Sequence, residues 1–529
     1  MKIEFYNTLN HGLEEFRPES AGSDPQNPIA GSTVQIYSCG PTVYDYAHIG
    51  NFRAFIFADV LCRFLKLCGA KVLQVMNMTD VGHMTEDDRA DGAGLDKLAV
   101  AVQKMKVSKQ TGTAPVDDPG DPFQVADYFA REFLVDARAL RLDILHRYDR
   151  AGAAERERIM PRPTRHIDSF IKLIQALLDA GSAYVGTDGV VYFDISSFPA
   201  YGRLSGNSIE RLSHGAGGRT ADQAGKKHPA DFFLWKPDAH HIMRWPSPWG
   251  EGYPGWHIEC SAMAMEFLGS TLDIHTGGED NIFPHHECEI AQSQAYTHQT
   301  FSNFWMHTRH LMVDGEKMSK SRGNFYTIRD LTAKGFDPLA IRFALLSTRY
   351  RESMNFSIGA LHDAAAAVET LRELSQRMMT ACGAATGEVY RDAATAAPAA
   401  MAPSESQVLK DFMGQLADDL NMAGAVGVLF AWVAEIGKIR PIAAERGASA
   451  LALLAQVDRV LDVIFAPLQP LPDEKRRAID ELAALRTEAR HRKDFTTSDR
   501  LRDEIRKLGA EVQDSAGGST WRARLSPAR

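Results

Sequence analysis

The sequence predicts an α/β chain built on a parallel sheet, interrupted by an inserted domain and followed by a helical region and a small mixed C-terminal segment. Three observations carry this. Thr33 to Ser38, TVQIYS, has a strand composition, and after the loop CGPTVYDYAHIGN the run from Phe52 is apolar at helical spacing until Gly69. Lys71 to Asp80, KVLQVMNMTD, then reads as a second strand ending in polar residues, which completes a βαβ unit whose ligand crevice lies beyond the carboxyl ends of the strands. A second α/β portion resumes near Gly255 with LDIHTGGEDNIFPHHECEIAQSQ and HLMVDGEKMSKSRGNF.

Taken in order, residues 1–122 form the first half of the α/β domain. Within them, Asp87 to Pro122 ends TGTAPVDDPGDP and has too many turn residues for an ordered element, so it is read as a surface insertion. Residues 123–235 change to helices such as HIDSFIKLIQALLDAG, followed by the alternating strand GVVYFDISSF, and are read as an inserted domain. Residues 236–325 are the second half of the α/β domain. The stretch 326–470 is helical apart from an Ala/Pro-rich loop around Ala393 to Ser406, and 471–529 is a final mixed unit.

Composition narrows the function classes. At 529 residues, a net charge of −9 and 44% apolar residues, the chain is enzyme-sized and neither disordered nor a general polyanion binder. No run approaches the roughly 18 uncharged apolar residues of a membrane span, and the first residues, MKIEFYNTLNHGLEEF, lack an apolar signal core, so a cytoplasmic location away from membranes is expected. Six cysteines are too sparse for a disulfide scaffold; Cys62, Cys68 and Cys382 are read as packing residues.

Three stretches carry chemistry. His48-Ile49-Gly50-Asn51 stands at a helix start, where His48 and Asn51 could donate to a phosphate and Gly50 admits close backbone approach; a plain N-cap explains the same residues. Lys317-Met318-Ser319-Lys320-Ser321, followed by Arg322-Gly323-Asn324, gives two lysines three apart on a loop, suited to charge building on a leaving pyrophosphate. The similar string KMKVSK, Lys104 to Lys109, is read as surface charge with no site beside it. In GGEDNIFPHHECE, Pro284 can begin a helix that sets His285 and Glu289 on one face; His286 with Glu289 is the alternative. With Cys39 and Cys260 these make a thiolate, imidazole and carboxylate set that suits zinc, although buried packing cysteines and a helix cap account for the residues as well.

CGPTVYDYAHIGN, PGWHIECSAM, GGEDNIFPHHECEIAQ and KMSKSRGNF, in this order, resemble the cysteinyl-tRNA synthetases, class I aminoacyl-tRNA synthetases, from YNTL at Tyr6 to GSTW at Trp521. The resemblance implies a Rossmann-type catalytic domain with a connective insertion, a helical anticodon-binding bundle and a small tRNA-contacting end. It implies activation of L-cysteine with ATP, accompanied by Mg²⁺, and transfer to tRNA(Cys), by a monomer. His48 and Asn51 match the HIGH-type signature, and Lys317 with Lys320 the KMSKS loop. Cys39, Cys260, His285 and Glu289 match the ligands of one zinc ion per chain. Thr79, Trp256, His275 and Asp280 match positions lining the amino-acid and adenylate pocket, with Gly50, Gly278, Asp280, Lys317 and Lys320 on the ATP side. Four protein ligands would close a zinc shell, so a substrate thiol adds a fifth bond or displaces Glu289.

Two departures stand out. After Asp80 the family continues with paired acidic residues and a lysine, where this chain has VGHMTEDDRADGAG, and Cys288 replaces a more usual asparagine and is expected to face away from the metal. No obvious editing domain is visible, as expected if a metal selects thiol over hydroxyl. Residues 471–529 hold 14 Lys/Arg against 11 Asp/Glu, a net of +3 that leaves −12 on the rest, and Arg490, Asp499, Asp514 and Trp521 are the candidates for the tRNA side. Two rivals remain: a cysteine ligase acting on an amino sugar, disfavoured by the full tail, and a catalytically silent RNA-binding paralogue, disfavoured by the complete signatures.

Overall fold

The β-rich run TVQIYS becomes strand Thr33–Ser38, with Val34, Ile36 and Tyr37 fully buried, at the centre of a four-stranded parallel sheet. The computed structural model describes the chain except residues 21–27, 87–92, 111–114, 209–224, 319–321, 384–400, 516–517 and 528–529. Strand order is Ser302–Thr308, Leu272–Gly278, Thr33–Ser38, Lys71–Met76. From Thr33–Ser38 the chain passes through helix Ile49–Leu67 to the strand on one side. From Leu272–Gly278 it passes through helix Glu287–Thr297 to the strand on the other. The two central strands therefore wind off in opposite directions, and a crevice opens between their carboxyl ends, the place where such sheets take ligands.

Helix Ile49–Leu67 buries most of its surface, as a helix sandwiched between a sheet and further helices must. Phe52 stacks on Phe133 of helix Pro122–Ala139 at 5.7 Å. Its Asp59 accepts from Arg63 (2.9 Å) and Arg342 (2.6 Å), and Arg63 reaches Asp462 (2.9 Å). These buried charges are paired, as burial requires, and they tie the sheet domain to helix Pro338–Leu346 and to the end of helix Ala444–Leu461, which belongs to a helical region with Ile358–Ala381, Pro403–Ala417 and Met422–Gly437. The C-terminal unit consists of helices Asp473–His491 and Phe495–Lys507 with hairpin Ala510–Ser515/Gly518–Ala523, around its own small core of Ile479, Ala483, Ile505 and Ala510.

Three boundaries differ from the sequence reading. The stretch after Asp87 is not without order: helix Lys97–Gln110 lies in it, with Leu98, Ala101, Val102 and Met105 buried at helical spacing against the Pro122–Ala139 helix. The turn residues of TGTAPVDDPGDP masked that periodicity. The inserted antiparallel sheet runs Ala183–Val185, Val191–Phe193, Phe232–Pro237, Gly252–Pro254, so residue 235 falls inside a strand and the sheet ends at Pro254. Pro403 to Ser406, read as loop, are the first turn of a helix, consistent with proline's tolerance there; residues 393–400 of that loop lie outside the described residues.

Candidate functional site

Cys39 leaves strand Thr33–Ser38 straight into the crevice, and Gly40 follows where a Cβ would stand 1.8 Å from the Asn77 carbonyl oxygen, a contact no other residue survives. Cys260 comes from the first turns of helix Trp256–Leu268. His285 lies in a kinked turn, Ile282–His286, whose Phe283 is extended (φ −140°, ψ 132°); the regular helix begins only at Glu287, later than Pro284 suggested. Across the kink His285 Nε2 still reaches Glu289 Oε1 at 3.0 Å. Cys39 Sγ is 3.2 Å from His286 Nε2 and 3.8 Å from Glu289 Oε1.

Two quartets converge here, each with donor atoms within 4.8 Å of one another: Cys39, Cys260, His285, Glu289, and Cys39, His275, His286, Glu289. Zinc–ligand bonds of ~2.0–2.3 Å put tetrahedral donors ~3.3–3.8 Å apart, so either set fits an ion after small adjustments. Outer partners orient the imidazoles. His285 Nδ1 is 2.9 Å from His257 Nδ1, and His286 Nδ1 is 2.7 Å from His307 Nε2, whose Nδ1 meets Thr8 Oγ1 at 2.8 Å. His275 Nε2 is 2.8 Å from Glu289 Oε2, which puts this fully buried residue behind the carboxylate. Such backing is how proteins aim ligands at metals.

The cluster is strongly polarised. Burial drives the Cys39 thiol well above its usual range, and Cys260 and Glu289 add to it. Burial also pushes Cys260 up, but its hydrogen bond with Cys39 and the His285 charge outweigh that and bring it to about 6. Burial disfavours the charged His285, yet Glu289 and Cys260 raise it to about 10; burial likewise opposes the Glu289 carboxylate, which His275 and His285 hold at about 2. Burial, with His275 and His307 beside it, keeps His286 well below its usual value. Of the two imidazoles, His285 therefore sits beside the more thiolate-prone sulfur.

His48 and Asn51 cap helix Ile49–Leu67 reciprocally: His48 Nδ1 accepts from Asn51 N (3.1 Å) and Asn51 Oδ1 accepts from His48 N (3.1 Å). The N-cap reading is thus realised, and it preserves donors, because a neutral His48 accepting at Nδ1 carries its proton on Nε2 and Asn51 keeps its amide donors. The start of this helix is joined to the lysine loop: Ile49 N donates to Tyr326 O (3.0 Å) and His48 packs edge-on against Phe325 at 5.2 Å. Lys317 ends the hairpin strand Glu316–Lys317 and is exposed; Lys320 lies outside the described residues. Gly278 closes strand Leu272–Gly278, and exposed Asp280 is 3.4 Å from His310 Nε2.

Thr79 is buried against the signature loop, its N donating to Pro41 O (2.9 Å) and its O accepting from Val43 N (2.9 Å). Trp256 stacks on His285 with ring centroids 4.1 Å apart. Cys288 turns away from the cluster, as expected, to Tyr201 Oη at 3.3 Å. The string Lys104 to Lys109 is not remote: it lies on helix Lys97–Gln110, and Lys104 Nζ is 3.4 Å from Asp45 of the signature loop. In the C-terminal unit, Arg490 is bound to Asp514 (2.9 Å), Trp521 Nε1 to Asp480 (2.7 Å), and Asp499 to Arg502 (3.1 Å). The sequence reading did not single out His257 or His307; only the histidine richness of GWHIEC and PHHE hinted at a larger imidazole network.

Residues 25–366 match the family model described as tRNA synthetases class I (C) catalytic domain. A cysteine–tRNA ligase of Chlorobaculum tepidum is 38% identical over 535 residues, covering 98% of each chain. One of Solibacter usitatus is 38% identical over 526 residues, covering 99% of this chain and 100% of the other. In structure, a Mycobacterium tuberculosis methionyl-tRNA synthetase in complex with methionyl-adenylate aligns with a TM-score of 0.51 at 14% identity, over 81% of this chain and 92% of that one, a likeness of fold. Among the described residues no helix is long and apolar enough to cross a membrane.

Proposed function

The chain belongs to the cysteine–tRNA ligases, class I aminoacyl-tRNA synthetases, and on that premise we propose that it activates L-cysteine with ATP, accompanied by Mg²⁺, and transfers it to tRNA(Cys), selecting the substrate thiol with one zinc ion. The observation that carries this reading is the convergence of Cys39, Cys260, His285 and Glu289 at the carboxyl ends of the two strands that wind apart. We favour this quartet over the one with His275 and His286 because it contributes two sulfurs, one already thiolate-prone, and soft ligands suit zinc. Zinc held there would favour a thiolate strongly over a harder, far less acidic hydroxyl.

The chain's own groups then have positioning and charge stabilisation to do. The cysteine carboxylate is itself the nucleophile on the α-phosphorus, so no protein general base is required. His48 Nε2–H and the Asn51 amide, at the positive end of helix Ile49–Leu67, donate to phosphate oxygens. Lys317 and Lys320 follow the charge leaving with pyrophosphate. Thr79 and Trp256 line the amino-acid pocket, with Gly50, Gly278 and Asp280 on the nucleotide side. His275 backs Glu289 from inside. Division of the chain into a split catalytic domain, a connective insertion and a helical anticodon-binding region suits the tRNA half of the reaction, with Arg490, Asp499, Asp514 and Trp521 as candidates for RNA contact.

Cysteine-dependent ATP–pyrophosphate exchange followed by charging of tRNA(Cys) tests the proposal. Exchange and charging with cysteine are expected. Exchange without charging would favour a ligase with another acceptor, and neither would leave a silent paralogue.

A further inference from the structure

Beside the site, His83 and Lys97 meet, the first within and the second just after the stretch VGHMTEDDRADGAG that departs from the family's acidic pair. Lys97 N donates to His83 O (2.9 Å), and Lys97 Nζ lies 3.0 Å from His83 Nε2. An ammonium only donates, so Nε2 accepts and the ring proton sits on Nδ1, 2.7 Å from Thr42 Oγ1, which accepts it. With both nitrogens committed, the plane of the His83 ring is set, and that ring lies on Trp256 with centroids 4.3 Å apart and planes 17° apart. The same indole lies on His285, centroids 4.1 Å and planes 17° apart. Backbone geometry presses the assembly together. At Gly82 (φ +75°) a Cβ would stand 3.0 Å from both Glu259 Oε1 and the Pro254 oxygen, so the turn carrying His83 sits directly against the start of the Trp256–Leu268 helix. Lys97 is held from the other side, its Nζ 5.3 Å from the centre of the Tyr44 ring of the signature loop.

We propose that His83 and Lys97 are positioning residues that hold Trp256 against His285, so that this pair sets how tightly the cysteine substrate is gripped. The inference rests on the reading of Trp256 as a wall of the amino-acid pocket. Neither His83 nor Lys97 needs to touch the substrate. Lys97 orients the imidazole, the imidazole orients the indole, and the indole fixes one side of the space beside His285. Aromatic pairs and hydrogen bonds of this kind each contribute on the order of a few-fold in an equilibrium, and two lost together make about 10-fold.

The experiment uses the full chain loaded with zinc. Cysteine-dependent exchange by the unaltered enzyme comes first, because its absence would sink the assigned function and not this contact. His83→Ala is expected to raise the KM for cysteine by about 10-fold and to weaken cysteine binding in calorimetry to match, with the KM for ATP and the zinc content unchanged. His83→Phe, which keeps a ring on the indole, should recover about half of that loss on a logarithmic scale. Lys97→Met should raise the cysteine KM about 3-fold and Lys97→Arg restore it. A His83→Ala enzyme whose cysteine KM stays within about 2-fold of normal overturns the proposal, as does equal loss in His83→Ala and His83→Phe, or a parallel fall in cysteine, ATP and zinc binding. If His83→Ala does not fold, the lysine pair decides: a normal cysteine KM in Lys97→Met overturns it.

Discussion

Two parts of the molecule gather charged and polar side chains, and they use them in opposite ways. Around Glu289, Cys39, Cys260, His275, His285 and His286 converge from two strands, a helix and a kinked turn, all buried except the half-buried Cys39, and burial with their mutual charges pulls them far from ordinary values. In the C-terminal unit, Arg486 and Arg490 both grip Asp514, Trp521 donates to Asp480, and Asp499 pairs with Arg502, largely at the surface. The first arrangement leaves several donors aimed at one point, which costs stability unless something binds there. The second pairs its charges off, and such exposed pairs are worth only about 0–1 kcal/mol each. Density of charge is therefore no guide to function; convergence of buried donor atoms is, and RNA that used Arg490 would have to share or displace Asp514.

The comparison can be broken most sharply at the lysine loop, whose Lys317 is exposed like the C-terminal unit yet is assigned chemistry. Lys320→Ala should slow cysteine activation by about 10²–10³-fold while cysteine affinity stays nearly constant, the pattern of an interaction made in the transition state. Weakened cysteine binding at an unchanged rate, measured by exchange kinetics, would remove that role. Lys106→Ala, in the look-alike string, should do little.

At the buried cluster, Cys39→Ser should lose zinc and, by binding cysteine worse, at least about 10- to 100-fold of its preference for cysteine over serine. Metal analysis beside exchange with each amino acid decides it. Stoichiometric zinc with full discrimination would make Cys39 a packing residue. His286→Ala sharpens the choice between the two quartets: zinc should be retained if His285 is the ligand, whereas His285→Ala should release it.

If the basic residues of the C-terminal unit contact only RNA, as proposed, truncation before Pro472 should reduce tRNA charging by about 10-fold or more and spare cysteine-dependent exchange. Equal loss of both would mean the C-terminal unit supports the fold, through links such as Asp337 N to Leu525 O at 3.0 Å. Smallest of all, Arg490→Ala should change the unfolding free energy by less than about 1 kcal/mol in a denaturant titration, because its ion pair is exposed. A larger loss would put Arg490 among the buried structural charges with Arg486.

Much of this was legible in the sequence because its signals are local. The composition of TVQIYS, the apolar run after Phe52 and the polar end of KVLQVMNMTD set a strand, helix and strand before any long-range contact is known, and the order of four long motifs set the family. Helix Lys97–Gln110 was obscured because adjacent turn residues outweighed its weak apolar stripe. Helical spacing offered His285 or His286 as the partner of Glu289, but only the tertiary structure brought both to that carboxylate, across a kink at Phe283 that spacing does not show. It alone placed His275 behind Glu289 and turned Cys288 toward Tyr201. It also laid His83 on Trp256, 173 residues away in the chain. A residue's type and period are written in its neighbours along the chain, whereas the direction of a side chain across a crevice is decided by which distant elements pack beside it.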